Sequence, residues 1–216
     1  MNVAIIAQQL VSGMGSSLMI FVLTLLFSMP LGLLVAFGRM SKIKPLQAVI
    51  KVFIAILRGT PLMLQLLVVN FAPYYLFRIS LPRWYRFAAI IIGFSINYAA
   101  YFAEIYRSGI ESIPKGQYEA ASVLGYNKNQ TFFRIIFPQM VKRVLPPVTN
   151  EVITLVKDTS LAFVLAYEEM FTVAKQIASA RTSIMPLFVA GVFYFIFNGV
   201  VAFAMERIEK KLSYYH

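Results

Sequence analysis

Five stretches of this sequence are each apolar for about the thickness of a bilayer's hydrocarbon core. A spanning helix needs about 20 mostly apolar residues, and the qualifying segments are Gly15 to Phe37, Leu46 to Phe77, Tyr85 to Ile105, about Val144 to Ala166 and about Ile184 to Met205. In lipid every backbone polar group must find its partner inside the protein, and apolar runs of this length do so as helices. The expectation is an all-α, polytopic membrane protein with five transmembrane helices. With 59% hydrophobic and only 13% charged residues, against roughly one quarter charged in soluble domains, little remains for anything else. No long polar, low-complexity or repeated stretch interrupts the pattern, so residues 1–216 are read as a single transmembrane domain. The second run is too long for one simple span and contains Arg58-Gly59-Thr60-Pro61. Proline there removes a backbone donor and glycine loosens the helix, which predicts a kink or break.

Basic residues orient these spans. With Arg39 to Lys51, Arg107 to Arg143 and the tail after Glu206 placed inside, the inside carries 13 Lys and Arg against 5 outside, and Arg58 and Lys157 lie at membrane depth. That asymmetry favours an outside amino terminus and an inside carboxyl terminus. The first apolar run is too long for a signal-peptide core and has no basic residue ahead of it, so it reads as a retained span. The net charge of +11 is spread in short clusters between apolar runs, unlike a nucleic-acid-binding face, so membrane lipid is an expected partner and nucleic acid is not.

Residue usage also restricts chemistry. There is no cysteine, and the one histidine is His216, which removes the Ser/His and Cys/His pairings of nucleophilic catalysis and any ordinary zinc cluster. Neither GxxxxGK[ST] nor GxGxxG occurs, so this chain offers no familiar nucleotide-binding loop. A GxGD aspartyl motif is absent too, which argues against an intramembrane enzyme. No cofactor is expected in the chain.

The longest polar interval, Ser108 to Pro138 (residues 108–138), reads SGIESIPKGQYEAASVLGYNKNQTFFRIIFP. Gln117 to Leu124 has the composition of a short helix, stopped by Gly125 in a left-handed conformation. Asn127 is placed to cap a second helix, with Gln130 completing a capping box. Ala120 and Ala121 keep one face low enough for another protein to approach, and Tyr118 and Leu124 add apolar area. By itself this pattern also fits an amphipathic loop lying on the membrane surface.

Glu119-Ala120-Ala121, three residues, Gly125, nine residues, Ile135, one residue and Phe137-Pro138 resemble the EAA loop in the permease subunits of bacterial ABC importers. Phe137 stands where leucine is commoner. Ala103 to Gly125, RGTPLMLQL from Arg58 and KDTSLA from Lys157 are similar to the branch that takes up polar amino acids. The resemblance implies a cytoplasmic-membrane subunit whose coupling residues, Gln117, Tyr118, Glu119, Ala120, Ala121, Leu124 and Gly125, fit a groove of a separate ABC ATPase. It further implies that ATP and Mg are bound by that partner. A second permease subunit, identical or closely related, and an extracytoplasmic amino-acid-binding protein complete the implied assembly. The competing functional class is an ATP-independent channel or secondary carrier for small polar solutes. Glu119 keeps two readings, a pair with a basic residue of the partner or a solvated helix face.

Ionisable residues within spans are costly and mark cavities, partners or substrate paths. Glu151 and Asp158 share a helical face with Pro147, Thr154 and Leu161, while Asn97, Tyr101 and Glu104 form a stripe on the third span. If the stripes face each other they line a net-negative chamber, suited to a cationic ligand where water is scarce. The pair Asn150-Glu151 is similar to that of permeases for arginine, lysine and histidine. The candidate substrate-binding residues are therefore Glu151, Asn97, Asp158, Tyr101, Thr154 and Arg58. The alternatives are that Lys157 or Arg58 neutralises Glu151 and Asp158 in a structural ion pair, that Arg107 or Arg58 pairs with Glu104, and that Arg58 neutralises an acid or holds the break in shape.

Overall fold

The computed structural model describes residues 3–212, and His216 lies outside them. Every regular element among the described residues is helical. Helix α1, Val3–Arg39, buries a stripe that includes Leu10, Gly13, Ser17, Thr24, Ser28, Gly32 and Ala36. Small residues on such a stripe let two helix backbones approach closely, which is how helices associate in lipid. A Cβ on Gly32 would sit 2.7 Å from the Phe102 Cβ and 3.1 Å from the Ala99 carbonyl oxygen. Those two residues belong to α4, Tyr85–Glu111, so any side chain at Gly32 would push α1 off its principal partner. The opposite face of α1 exposes Leu18, Val22, Leu26 and Leu34, as a lipid-facing surface does.

The expected break is present. Helices α2, Lys44–Gly59, and α3, Leu62–Phe77, meet at an angle of 111° across Thr60 and Pro61. Breaking a helix strands carbonyls that must find other donors. Gln65 Nε2 donates to the Leu57 carbonyl at 2.9 Å and the Thr60 carbonyl at 3.1 Å. From α4, Asn97 Nδ2 donates to the same Leu57 carbonyl at 3.1 Å and to Gln65 Oε1 at 3.0 Å. A two-amide clasp, rather than Arg58, holds the break.

Beyond α4 come α5, Lys115–Val123, and α6, Lys128–Thr131, then a wider π turn over Phe132–Ile136 that leads into α7, Phe137–Asp158. Pro138 has no N–H to give the Arg134 carbonyl, and the helix widens there. The sequence reading carried the fourth span on to Ala166, but α7 ends at Asp158 and a 3-10 turn occupies Thr159–Leu165. Ala166 stands in the left-handed region at φ 50°. Two more helices follow, α8, Met170–Arg181, and α9, Met185–Leu212; α8 has no counterpart in the sequence reading, which left it in a connecting loop. By length and composition α1, α4 and α9 are able to cross a membrane, and α2 with α3 makes a fourth if the bent pair counts as one span. Helix α7 is long enough but too polar to meet the same standard.

Candidate functional site: a polar cavity between α4 and α7

The two polar stripes do face each other. Asn97, Tyr98 and Tyr101 from α4 and Glu151, Thr154 and Asp158 from α7 line one cavity of about 420 Å³, closed on a third side by Thr60, Pro61 and Leu62 of the helix break and by Leu161. An adjoining cavity of about 510 Å³ runs toward the Glu111 end of α4, lined by Arg58, Glu104, Arg107, Arg143 and Pro147; Tyr101 and Glu151 line both. Helical periodicity explains the arrangement, since residues three, four and seven apart share a face.

Within this space the acids are held very differently. Asp158 Oδ2 accepts a 2.7 Å hydrogen bond from the Tyr98 hydroxyl, and Tyr98 is nearly fully buried. Its neighbour Lys157 is not its partner: no ion pair between the two comes within 4 Å among the described residues. Glu104 is consumed by Arg107, which donates through Nε at 3.1 Å and Nη2 at 2.7 Å, and Arg39 adds a longer ion pair at 3.7 Å. Glu151 has no hydrogen bond or ion pair within 4 Å among the described residues, although Arg58 and Asp158 both act on it electrostatically. Arg58 places its guanidinium 5.2 Å from the centroid of the Tyr101 ring, a cation–π distance, and so points into the cavity.

Among the sequence candidates, Glu151, Thr154, Asp158 and Tyr101 meet there, with Arg58 reaching the adjoining space. Asn97 lines the cavity too, but its amide nitrogen is committed to the clasp. Tyr98 was missed, because a tyrosine in an aromatic-rich span carries no polar signal until its partner is known.

The segment at the other end of α4 has the shape its residues foretold. Asn127 Oδ1 accepts from Gln130 N at 2.9 Å while Gln130 Oε1 accepts from Asn127 N at 3.0 Å, a complete capping box. Gly125 ends the preceding helix at φ +75°, a conformation glycine adopts without steric cost. Gln117 Oε1 accepts from Gln139 Nε2 at 3.3 Å, tying α5 to the start of α7. Ala121 differs from expectation: it is completely buried against its own chain, so the low outward face consists of Ala120 and its neighbours. Val123 at 87% exposure, Leu124 at 73% and Phe133 at 66%, with the partly exposed Tyr118, present apolar surface that nothing among the described residues covers.

Residues 28–214 match the family described as binding-protein-dependent transport system inner membrane component. The L-cystine transport system permease protein TcyB of Bacillus subtilis (strain 168) is 37% identical over 196 residues, 90% of this chain and 82% of that protein. The putative glutamine transport system permease protein GlnP of Rickettsia felis is 34% identical over 94% of this chain and 92% of its own length. The arginine transport system permease protein ArtQ of Bacillus subtilis is 30% identical with the same coverage of both chains. A crystal structure described as an amino acid ABC transporter with histidines superposes with a TM-score of 0.85 at 30% identity, covering 94% of each chain.

Proposed function

The chain belongs to the family of inner membrane components of binding-protein-dependent transport systems, and on that premise we propose that it imports polar amino acids with a cationic side chain, arginine, lysine or histidine, into the cytoplasm. It is a permease subunit of the amino-acid ABC transporters and resides in the inner membrane. The reading of substrate rests on one observation: among the described residues, Glu151 faces the α4–α7 cavity without a hydrogen-bond or ion-pair partner of its own. A half-buried carboxylate at membrane depth lacking a paired charge is costly, and a ligand's cation would supply what is missing. Arg58, over Tyr101, stands where a ligand carboxylate would be met. Tyr98 fixes Asp158 as a second negative wall, and Thr154 adds a hydroxyl between the two acids.

The remainder of the assembly follows from the same premise. Five spans with an outside amino terminus result when α2–α3 counts as one bent span and α7 with its 3-10 extension counts as another. The charge asymmetry of the loops supports this orientation. The exposed Tyr118, Val123, Leu124 and Phe133 surface on the inside is the contact for a separate ATPase, which binds ATP and Mg. A rigid capped pair of short helices suits it, because rigid-body motion is transmitted through a stiff contact. A second permease subunit and an extracytoplasmic amino-acid-binding protein complete the transporter.

Two measurements on the reconstituted complex test this. Co-purification of the ATPase is expected to be lost on Leu124→Arg or Glu119→Arg, and undiminished uptake without an ATPase would instead support a carrier or channel. ATPase stimulation across arginine, lysine, histidine, glutamine and cystine is expected to favour the first three. A preference for glutamine or cystine that Glu151→Gln leaves untouched would refute the proposed substrate class.

A further inference from the structure

One buried acid takes no part in the cavity. Glu169 opens α8 and is completely buried. Its Oε1 accepts from Thr172 N at 2.6 Å and Thr172 Oγ1 at 2.8 Å, and its Oε2 from Phe171 N at 2.7 Å and the Tyr194 hydroxyl at 3.1 Å. The Ser17 hydroxyl of α1 stands 3.4 Å from Oε2 and accepts from Met170 N at 3.2 Å. Donors converge on both oxygens, and two of them, the Phe171 and Thr172 amides, can only donate, so the carboxyl group is held as the acceptor that caps a helix N-terminus. With every lone-pair direction taken, no room is left for a ligand or a metal.

What this carboxylate joins gives it a role. It links α8 to α1 through Ser17 and to α9 through Tyr194. Opposite Met170 is Gly13, where a Cβ would stand 2.8 Å from the Met170 N and Cα atoms, so α1 is pressed directly against the start of α8. At the other end, Asp158 accepts from the Tyr98 hydroxyl at 2.7 Å, and Thr159, the residue after it, is completely buried. The run from Asp158 to Glu169 is thus fastened at both ends. Between them, the Ala166 carbonyl accepts from Arg86 Nη1 at 3.2 Å, and the rings of Tyr167 and Phe87 stack with centroids 5.4 Å apart. Arg86 and Tyr98 are twelve residues apart on α4, about 18 Å at helical rise. The run therefore climbs from the depth of Asp158 to the Tyr85 end of α4, and supplies Leu161 to the cavity on the way.

We propose that Glu169 is a positioning residue for the translocation cavity: its carboxylate latches the run from Asp158 to Glu169, which walls the cavity, onto α1 and α9. The role as a latch stands on geometry alone, while its service to translocation rests on the function proposed above.

The chain contains no cysteine, so a single introduced thiol, followed on this subunit's own band, reports local opening without background from the rest of the chain. Ala162, buried within the 3-10 turn, and Ala36, buried in the α1 stripe, provide a reporter and a control. In the assembled, detergent-solubilised transporter complex, Ala162→Cys is expected to react with a small maleimide about tenfold faster once Glu169→Gln is added, and severalfold faster with Tyr194→Phe, as loss of hydrogen bonds to a buried charge implies. Ala36→Cys is expected to keep its rate. Equal acceleration at both positions would mean general loosening and overturn the proposal, as would an unchanged rate at Ala162→Cys. Should Glu169→Gln fail to assemble, Tyr194→Phe, which removes one hydroxyl, decides by the same two rates.

Discussion

Glu151 and Glu169 are both glutamates in an apolar helical bundle, and the chain treats them in opposite ways. Glu169 is enclosed and receives hydrogen bonds from backbone, threonine, serine and tyrosine donors. Glu151 borders two cavities and receives none among the described residues. A saturated carboxylate is part of the scaffold, because removing it strands its donors. An unsaturated one at the edge of a cavity is available to something that arrives. The pair shows how donor count together with enclosure, rather than residue type, separates structure from function here.

The sharpest way to break that contrast is to exchange the consequences. Glu169→Ala leaves several buried donors without an acceptor and is expected to destabilise the assembled complex by about 3 kcal/mol, visible as a lower thermal transition and reduced yield. Glu151→Gln is expected to leave that transition within about 0.5 kcal/mol, as substitutions outside packed networks do. If Glu151→Gln proves the more destabilising of the two, the contrast is wrong.

Asn97→Ala comes next, with an expected cost of about 1–2 kcal/mol because the Leu57 carbonyl and Gln65 amide lose a buried partner. Hydrogen exchange across Leu57 to Gln65 would report it, and fast exchange confined to that break would separate the clasp from the cavity. Tyr98→Phe is expected to cost about 1 kcal/mol and to free Asp158, so ligand affinity should change along with stability. Asn127→Ala, at the far end of the chain's polar interval, is expected to cost about 1 kcal/mol of local helix stability. That loss should appear as faster exchange over Lys128 to Thr131, with the cavity unaffected.

Much of the coupling segment was legible because its signals are local. Asn127 and Gln130 cap each other within one turn, and Gly125 answers a backbone requirement of its own position. The break at Arg58 to Pro61 was legible for the same reason. The membership of the α4 and α7 stripes followed from periodicity, while their facing each other stood only as a condition until the cavity lining met it, and the span count did not follow, since α7 is too polar to pass on hydropathy. What the sequence could not reveal depends on distant partners. Asn97 looked like a ligand-binding amide until Gln65 and Leu57 were found beside it. Ala121 faces inward because of the way α5 packs on its own chain. Glu169 lies in the connection between two apolar runs, and nothing local tells that Ser17 and Tyr194, 152 and 25 residues away, close over it. The 3-10 turn after Asp158 was hidden by an apolar run that reads as continuing helix.

Direct binding of labelled arginine to the assembled transporter, wild type beside Glu151→Gln, tests the central claim most closely. The expected result is saturable arginine binding that weakens roughly tenfold in Glu151→Gln, the order expected for losing one charge pair at a partly dry site, with Glu169→Asp retaining measurable binding. Arginine binding of equal strength in wild type and Glu151→Gln would contradict it.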